Sequence, residues 1–262
     1  MDYEHIVLKK RGNVSTLTLN RQEKLNAINR KMIEEIDNAL TTTRQNREIR
    51  ALIITGAGRA FCSGADVGDI ARHAAGAPMT VRRWTQMIHR AILAITELEQ
   101  PVIAKVNGLA VGIGCSLALS ADIIIAAENA QFSLIFSQIG LIPDGGSLFH
   151  LPRLVGIAKA KELIFTARKV DATEAQRMGL INKAVPAETL DAEVENLANQ
   201  LAEGPTAAFG IAKRIMNKGL TMDLSSVLES EASGQALAGT TEDAREGVMA
   251  FLEKRKPKFK GA

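Results

Sequence analysis

Apolar residues follow two rhythms along this chain. Up to about residue 185, short apolar runs bounded by turn residues alternate with longer stretches of helical period. Beyond Pro186 only the helical period remains, over about 187–203, 206–218, 223–238 and 241–254. Residues 5–10 and 14–19 read as two strands joined at Arg11-Gly12-Asn13, a hairpin. After the loop RQEKLNAI, Asn29 precedes Met32, Ile33, Ile36 and Leu40, a cap followed by the apolar face of a helix. Ala51 to Thr55 is a buried strand that ends at Gly56-Ala57-Gly58. The segment RAFCSGADVGDI reads as a loop, and HAAGAPM as a flexible segment. Thr80 opens a long helix with Val81, Trp84, Met87, Ile88, Ile92 and Ile95 on one side.

The stretch from Pro101 to Ala127 organises the rest. Val102 to Val106 and Ile123 to Ala127 are short, apolar and rich in β-branched residues, hence buried strands. Between them lie the turn signal Asn107-Gly108, then Gly112 and Gly114, then a small-residue run from Cys115 to Ser120. Gln131 to Ser133 is a short extended piece, and SQIGLIPDGGS a turn-rich loop. Residues 157–166 and 173–178 read as helices, the second with a capping box of Thr173 and Gln176 and a stop at Gly179. Leu180 to Val185 is a strand. Alternating elements followed by helices alone predict an α/β fold with parallel, buried sheets and a helical C-terminal layer.

Composition narrows the function classes. The 262 residues suffice for one large domain or a domain with an appended subdomain. The net charge of +3, with acids and bases interspersed, gives no nucleic-acid footprint. No apolar run approaches a membrane helix, and the N-terminus has no apolar signal core. Two cysteines, Cys62 and Cys115, form no framework or CxxC pair, which fits a reducing, cytoplasmic setting. His5, His73, His89 and His150 have no metal-binding spacing, so no metal is expected.

The glycine-rich stretch after Asn107 has three readings. It is a packing turn, or a dinucleotide loop, although the third glycine that loop needs is missing. Or it is one half of an oxyanion hole, because a turn that opens a helix leaves N–H groups unpaired and aligned with the helix dipole. The second half then has to come from residues 60–67.

Five segments in order carry a resemblance. AFCSGAD (60–66), NGLAVGIGCSLALSAD (107–122), FSQIGLIPDGGS (136–147), LPRLVG (151–156) and EGVMAFLEKRKPKF (246–259) resemble the signature segments of the crotonase family, the enoyl-CoA hydratase/isomerase superfamily. The resemblance runs from about Asp2 to Lys260. It implies a spiral of ββα turns with two nearly perpendicular sheets over residues 1–200. It also implies a helical C-terminal region, 201–262, that packs subunits into trimers or hexamers. The oxyanion donors it implies are the backbone N–H groups of Ala65 and Ile113. Contacts to coenzyme A map to Lys24, Leu25 and Ala27 and to the main chain of Ala65, Asp66 and Val67. Lys254 of a neighbouring subunit would reach the phosphates. Gly112, Ser116 and Phe136 complete the implied substrate lining. Coenzyme A is part of the substrate, and no other cofactor is implied.

The same resemblance bears on the reaction. Hydratases of the family hold one water with two glutamates, and the matching positions here are Ser116 and Phe136. One carboxylate, Asp144 after Pro143, falls where related isomerases place theirs. A lone base beside two oxyanion donors suffices to move a proton between carbons. The expectation is an isomerase that works through a thioester enolate, closest in look to enoyl-CoA isomerases and the ring-epoxide isomerase of phenylacetate degradation. Hydration of an enoyl-CoA is the alternative enzyme reading. A non-catalytic acyl-CoA-binding subunit is the alternative outside enzymes.

Overall fold

The N-terminal hairpin forms as the alternation predicts: β1 (Ile6–Arg11) pairs antiparallel with β2 (Val14–Leu19). These and all further elements come from a computed structural model that describes residues 3–74 and 76–262. A 3-10 turn at Gln22–Lys24 leads to α1 (Arg30–Gln45), where Asn29 Oδ1 accepts the Met32 N–H at 2.8 Å. The four apolar residues predicted for this helix's inner face are all buried. There follow β3 (Ala51–Gly56), β4 (Ala60–Cys62), α2 (Val67–Ala74) and α3 (Pro78–Thr96). The central stretch supplies β5 (Val102–Val106), β6 (Leu109–Val111), α4 (Ile113–Leu119) and β7 (Ile123–Ala127). Next come β8 (Gln131–Ser133), a 3-10 turn at Ile135–Ile139, α5 (Ser147–Val155), α6 (Ile157–Thr166), β9 (Val170–Asp171), α7 (Ala172–Arg177) and β10 (Lys183–Val185). The chain ends with α8 (Leu190–Ala202), α9 (Thr206–Gly219), α10 (Leu224–Ala238) and α11 (Glu242–Leu252).

Among the described residues the strands form two sheets. One has six strands in the order β1-β2-β3-β5-β7-β10, parallel beyond the hairpin. The other has four, β4-β6-β8-β9, parallel except at β9. The larger sheet is covered on both faces, so its strands are apolar on both sides rather than alternating. Ala51, Ile53, Ile103 and Ile125 face Leu190, Val194, Ala198 and Ala202 of α8. Their sequence neighbours Leu52, Ile54, Val102, Ala104 and Ile124 face the main core with α1 and α3. Each of the Val, Leu and Ile side chains among them contributes about 1.5–3 kcal/mol by leaving water.

Asn107-Gly108 is more than a turn. Here the chain leaves the larger sheet and enters the smaller one. Asn107 Nδ2 donates to Gly58 O at 2.8 Å, and its Oδ1 accepts the Gly56 N–H at 3.3 Å. A Cβ on Gly108 would stand 2.2 Å from Arg59 O, so only glycine lets the two corners pass.

Several expectations are corrected. The supposed loop at 59–70 contains β4 and the start of α2; three residues are too few for a period to show. Asp171, not a Thr173–Gln176 box, caps α7: its Oδ1 accepts the Glu174 N–H at 2.8 Å, while Gln176 Oε1 accepts the Ala184 N–H. The strand expected from Leu180 begins only at Lys183, because Leu180 and Ile181 are buried turn residues. The turn-rich segment leads into α5, hidden in sequence by Gly145, Gly146 and the interior Pro152. Helix α3 begins at Pro78 rather than Thr80, and Val81 is exposed instead of facing the core. The flexible segment expected at 73–79 includes Ala75, which lies outside the described residues.

The C-terminal helices are tied to this core by polar contacts. Buried Lys213 of α9 donates to Asp122 Oδ2 at 2.7 Å and to Ile95 O at 3.0 Å. Arg50 donates to Gly204 O, Thr206 Oγ1 and Phe259 O. Their outer faces leave Leu224, Leu228, Leu237, Val248 and Phe251 exposed, with Val227 half-buried.

Candidate active site

The parallel pairing of β4 with β6 sets Cys62 opposite Ala110. Three residues past these paired positions, beyond the ends of both strands, stand Ala65 and Ile113, so the two strands deliver them to the same edge of the small sheet. A Cβ on Gly64 would lie 4.0 Å from Gly112 Cα, which measures how closely the two turns approach. Gly64 O accepts the Ile28 N–H at 2.8 Å, and the Asp66 N–H donates to Ile28 O at 2.9 Å. Strand alternation then turns the intervening Ala65 N–H to the opposite side. Ile113 opens α4 and has no carbonyl one turn behind it. Neither N–H donates to a carbonyl or side chain among the described residues. The Ile113 side chain is buried.

Asp144 lies over the start of α4. A Cβ on the next residue, Gly145, would meet Ser116 Cβ at 2.8 Å and Ile113 Cγ1 at 3.5 Å, and one on Gly146 would meet Ile92 of α3 at 3.3 Å. The loop is thus wedged between α3 and α4. Asp144 Oδ1 is buried and has no hydrogen-bond partner among the described residues. Burial raises this carboxyl to about 6, opposed by the charge of His89. The apolar residues that flank it in the chain, Leu141, Ile142, Leu148 and Phe149, are themselves exposed. The desolvation comes instead from packing against α3 and α4, which brings in His89, a residue that its sequence context did not single out.

The two positions aligned with hydratase glutamates differ in kind. Ser116 is fully buried, and its Oγ donates to Asp144 O at 2.9 Å. Phe136 is half-buried, with its ring tip 3.9 Å from where a Gly112 Cβ would stand. An apolar ring therefore borders the turn that precedes the Ile113 N–H.

Residues 21–28 are stapled to 57–66. Arg21 donates to Ala27 O at 2.6 Å and to Asp66 Oδ2 at 3.0 Å. Buried Asn26 donates to Ala57 O and Ala60 O, and Ser63 N–H donates to Leu25 O. Lys24 and Val67 are exposed, Leu25 is half-buried at φ 50, and Ala27 is buried. Burial alone would raise the Asp66 carboxyl, but the Gly68 N–H, Arg21 and Lys24 outweigh it and hold it below the usual range. Arg21 and Asn26 are structural determinants that a loop without periodicity did not reveal. Lys254 stands exposed after α11, with no ion pair or side-chain hydrogen bond to residues 21–28 or 65–67. Burial pushes the thiols of Cys62 and Cys115 up to about 12, so neither supplies a thiolate.

Comparison with known proteins shows the family. The model of the enoyl-CoA hydratase/isomerase family matches residues 9–262, and the chain belongs to that family. It is 41% identical to the 1,2-epoxyphenylacetyl-CoA isomerase of Escherichia coli, over 98% of this chain and 99% of that one. It is 38% identical to the crotonyl-CoA hydratase of Syntrophomonas wolfei, over 99% of both. The crystal structure of an enoyl-CoA hydratase from Bacillus anthracis superposes with a TM-score of 0.93 at 36% identity, covering 99% of this chain and all of that one. The two-sheet α/β architecture is that of the crotonase fold. No described helix is long and apolar enough to cross a membrane.

Proposed function

We propose that the protein is an acyl-CoA isomerase with Asp144 as its single base. The observation that carries this reading is the buried, unpartnered Asp144 Oδ1, on a loop packed against Ile113 and Ser116, together with two N–H groups without acceptors at Ala65 and Ile113. In the proposed reaction a 3-enoyl thioester lies with its carbonyl oxygen between Ala65 N–H and Ile113 N–H. Asp144 takes a proton from C2, and the C–H electrons move into the carbonyl to leave an enolate oxygen that both N–H groups stabilise. The same proton returns at C4, and the double bond moves from C3–C4 to C2–C3. A carboxyl raised to about 6 suits both halves, as it ionises at neutral pH yet is more basic than a free aspartate. Lys24, Leu25, Ala27, Asp66 and Val67 are the proposed coenzyme A contacts, with Lys254 contributed by a neighbouring subunit.

Water addition is disfavoured on two counts. Phe136 has an apolar ring at the position that aligns with the second hydratase glutamate. Ser116 carries a hydroxyl in place of the first carboxylate, and that hydroxyl donates to Asp144 O. The hydratase relatives keep hydration as the second reading. Turnover of 3-hexenoyl-CoA and of crotonyl-CoA separates the two. The isomerase reading expects the first ester to be conjugated, the second to be left unhydrated, and Asp144→Asn to slow turnover by roughly 10²–10⁴. Rapid hydration of crotonyl-CoA without isomerisation of the other ester would reverse the assignment.

A further inference from the structure

A base carried on a loop needs something else to fix its position. Here the fixing is done through the Asp144 main chain rather than its carboxylate. Ser116 Oγ, from the middle of α4, donates to Asp144 O at 2.9 Å. Ser147 Oγ donates to the same oxygen at 2.8 Å, and Ser147 N–H approaches it at 3.2 Å. Both serines have 0% of their surface exposed. No solvent competes for these hydroxyls, so the bonds hold their geometry.

Ser116 also reaches the other half of the site. Its N–H donates to Gly112 O at 3.1 Å, and its hydroxyl lies 3.3 Å from that oxygen. The carbonyl of Gly112 and the N–H of Ile113 belong to one planar peptide group. One side chain therefore bridges the peptide that carries the oxyanion donor and the peptide that carries the base. The Gly112 carbonyl keeps the Ser116 N–H whatever side chain stands at 116. The hydroxyl's distinct contribution is to Asp144.

We propose that Ser116 is a positioning residue which, with Ser147, clamps the Asp144 carbonyl and sets the carboxylate at a constant distance from the Ile113 N–H. The proposal rests on Asp144 being the base. It gives the residue at the first hydratase glutamate position a role that requires no contact with substrate or water.

The test uses the full-length protein with 3-hexenoyl-CoA. Ser116→Ala keeps Cβ and the helix, and Ser147→Ala removes the second hydroxyl. Thermal melts report whether each variant is folded. Each variant is expected to lose ten- to hundredfold in kcat with KM within twofold of wild type, because binding groups are untouched while the base wanders. With Asp144→Asn already in place, adding Ser116→Ala should slow the residual reaction less than twofold. Full kcat in folded Ser116→Ala and Ser147→Ala overturns the clamp. So does an equal further loss in the Asp144→Asn background, which would mean that Ser116 acts on the substrate or the oxyanion donor directly. Near-full activity of Asp144→Asn alone removes the base reading and the clamp with it. That outcome is distinct from a silent Ser116→Ala beside an inactive Asp144→Asn.

Discussion

If Asp144 is a carboxylate buried without a partner, it destabilises the fold at neutral pH, and Asp144→Asn should relieve that in a pH-dependent way. The native carboxyl titrates at about 6, and an unfolded aspartate at about 3.9. Between those values the folded chain holds a proton that the unfolded chain has released. Stability therefore falls as pH rises through the window from about 4 to 6, and stays at its lower level above it. Two units at 1.36 kcal/mol each set a ceiling of about 3 kcal/mol. The residue is only partly shielded, and asparagine leaves an unpaired amide in its place. A net gain of about 1 kcal/mol at pH 8 is expected, or roughly 2–4 °C in Tm for a chain of this size. His89 on α3 bears on the wild-type carboxylate through its charge but has no carboxylate to act on in the variant. The assay is a series of melts of both proteins at fixed concentration, from pH 4.5 to 8, read as a difference. That difference should be near zero at the acid end and should open towards pH 7. A gap that does not change with pH, or a variant less stable than wild type at pH 8, refutes the buried unpaired carboxylate.

Ala65→Pro removes one proposed oxyanion donor, the Ala65 N–H, and leaves the carboxylate alone. Turnover should fall by about two to three orders of magnitude in steady-state assays, and an unchanged rate in a folded variant would reject the donor. The exposed Leu224, Leu228, Leu237, Val248 and Phe251 of the C-terminal helices form the kind of apolar surface that a partner covers. We expect a trimer, or a multiple of three, by light scattering at micromolar concentration, with a monomer as the contrary result.

Local features were legible where one residue determines the outcome. The hairpin, the Asn29 cap, the buried strands 51–55, 102–106 and 123–127, and all four C-terminal helices follow from apolar period and capping chemistry. Those signals are local, because period reports which side of an element is buried and a cap needs only the next three residues. Family membership was legible from five short motifs in order, and Asp144 as the one carboxylate in its loop could be read from sequence alone. Strand β4 and the capping of α7 were not, since a three-residue strand has no period and both Thr173 and Asp171 stood within reach as caps.

What the tertiary structure decided is how distant groups meet. Only the parallel register of β4 against β6 brings Ala65 and Ile113, 48 residues apart in number, to one edge. Only the wedging of the 144–146 loop between α3 and α4 desolvates Asp144 and brings His89 within electrostatic reach, while its apolar neighbours in the chain, Leu141, Ile142, Leu148 and Phe149, are exposed. Ser116, which the resemblance placed in the substrate lining, bridges two peptide groups because the fold lays Asp144 O over it. Period and motif are properties of neighbours in the chain. Desolvation and hydrogen-bond partnership belong to neighbours in space, and the corners at Gly56–Arg59 and Asn107-Gly108, where the chain changes sheets, determine which neighbours those are.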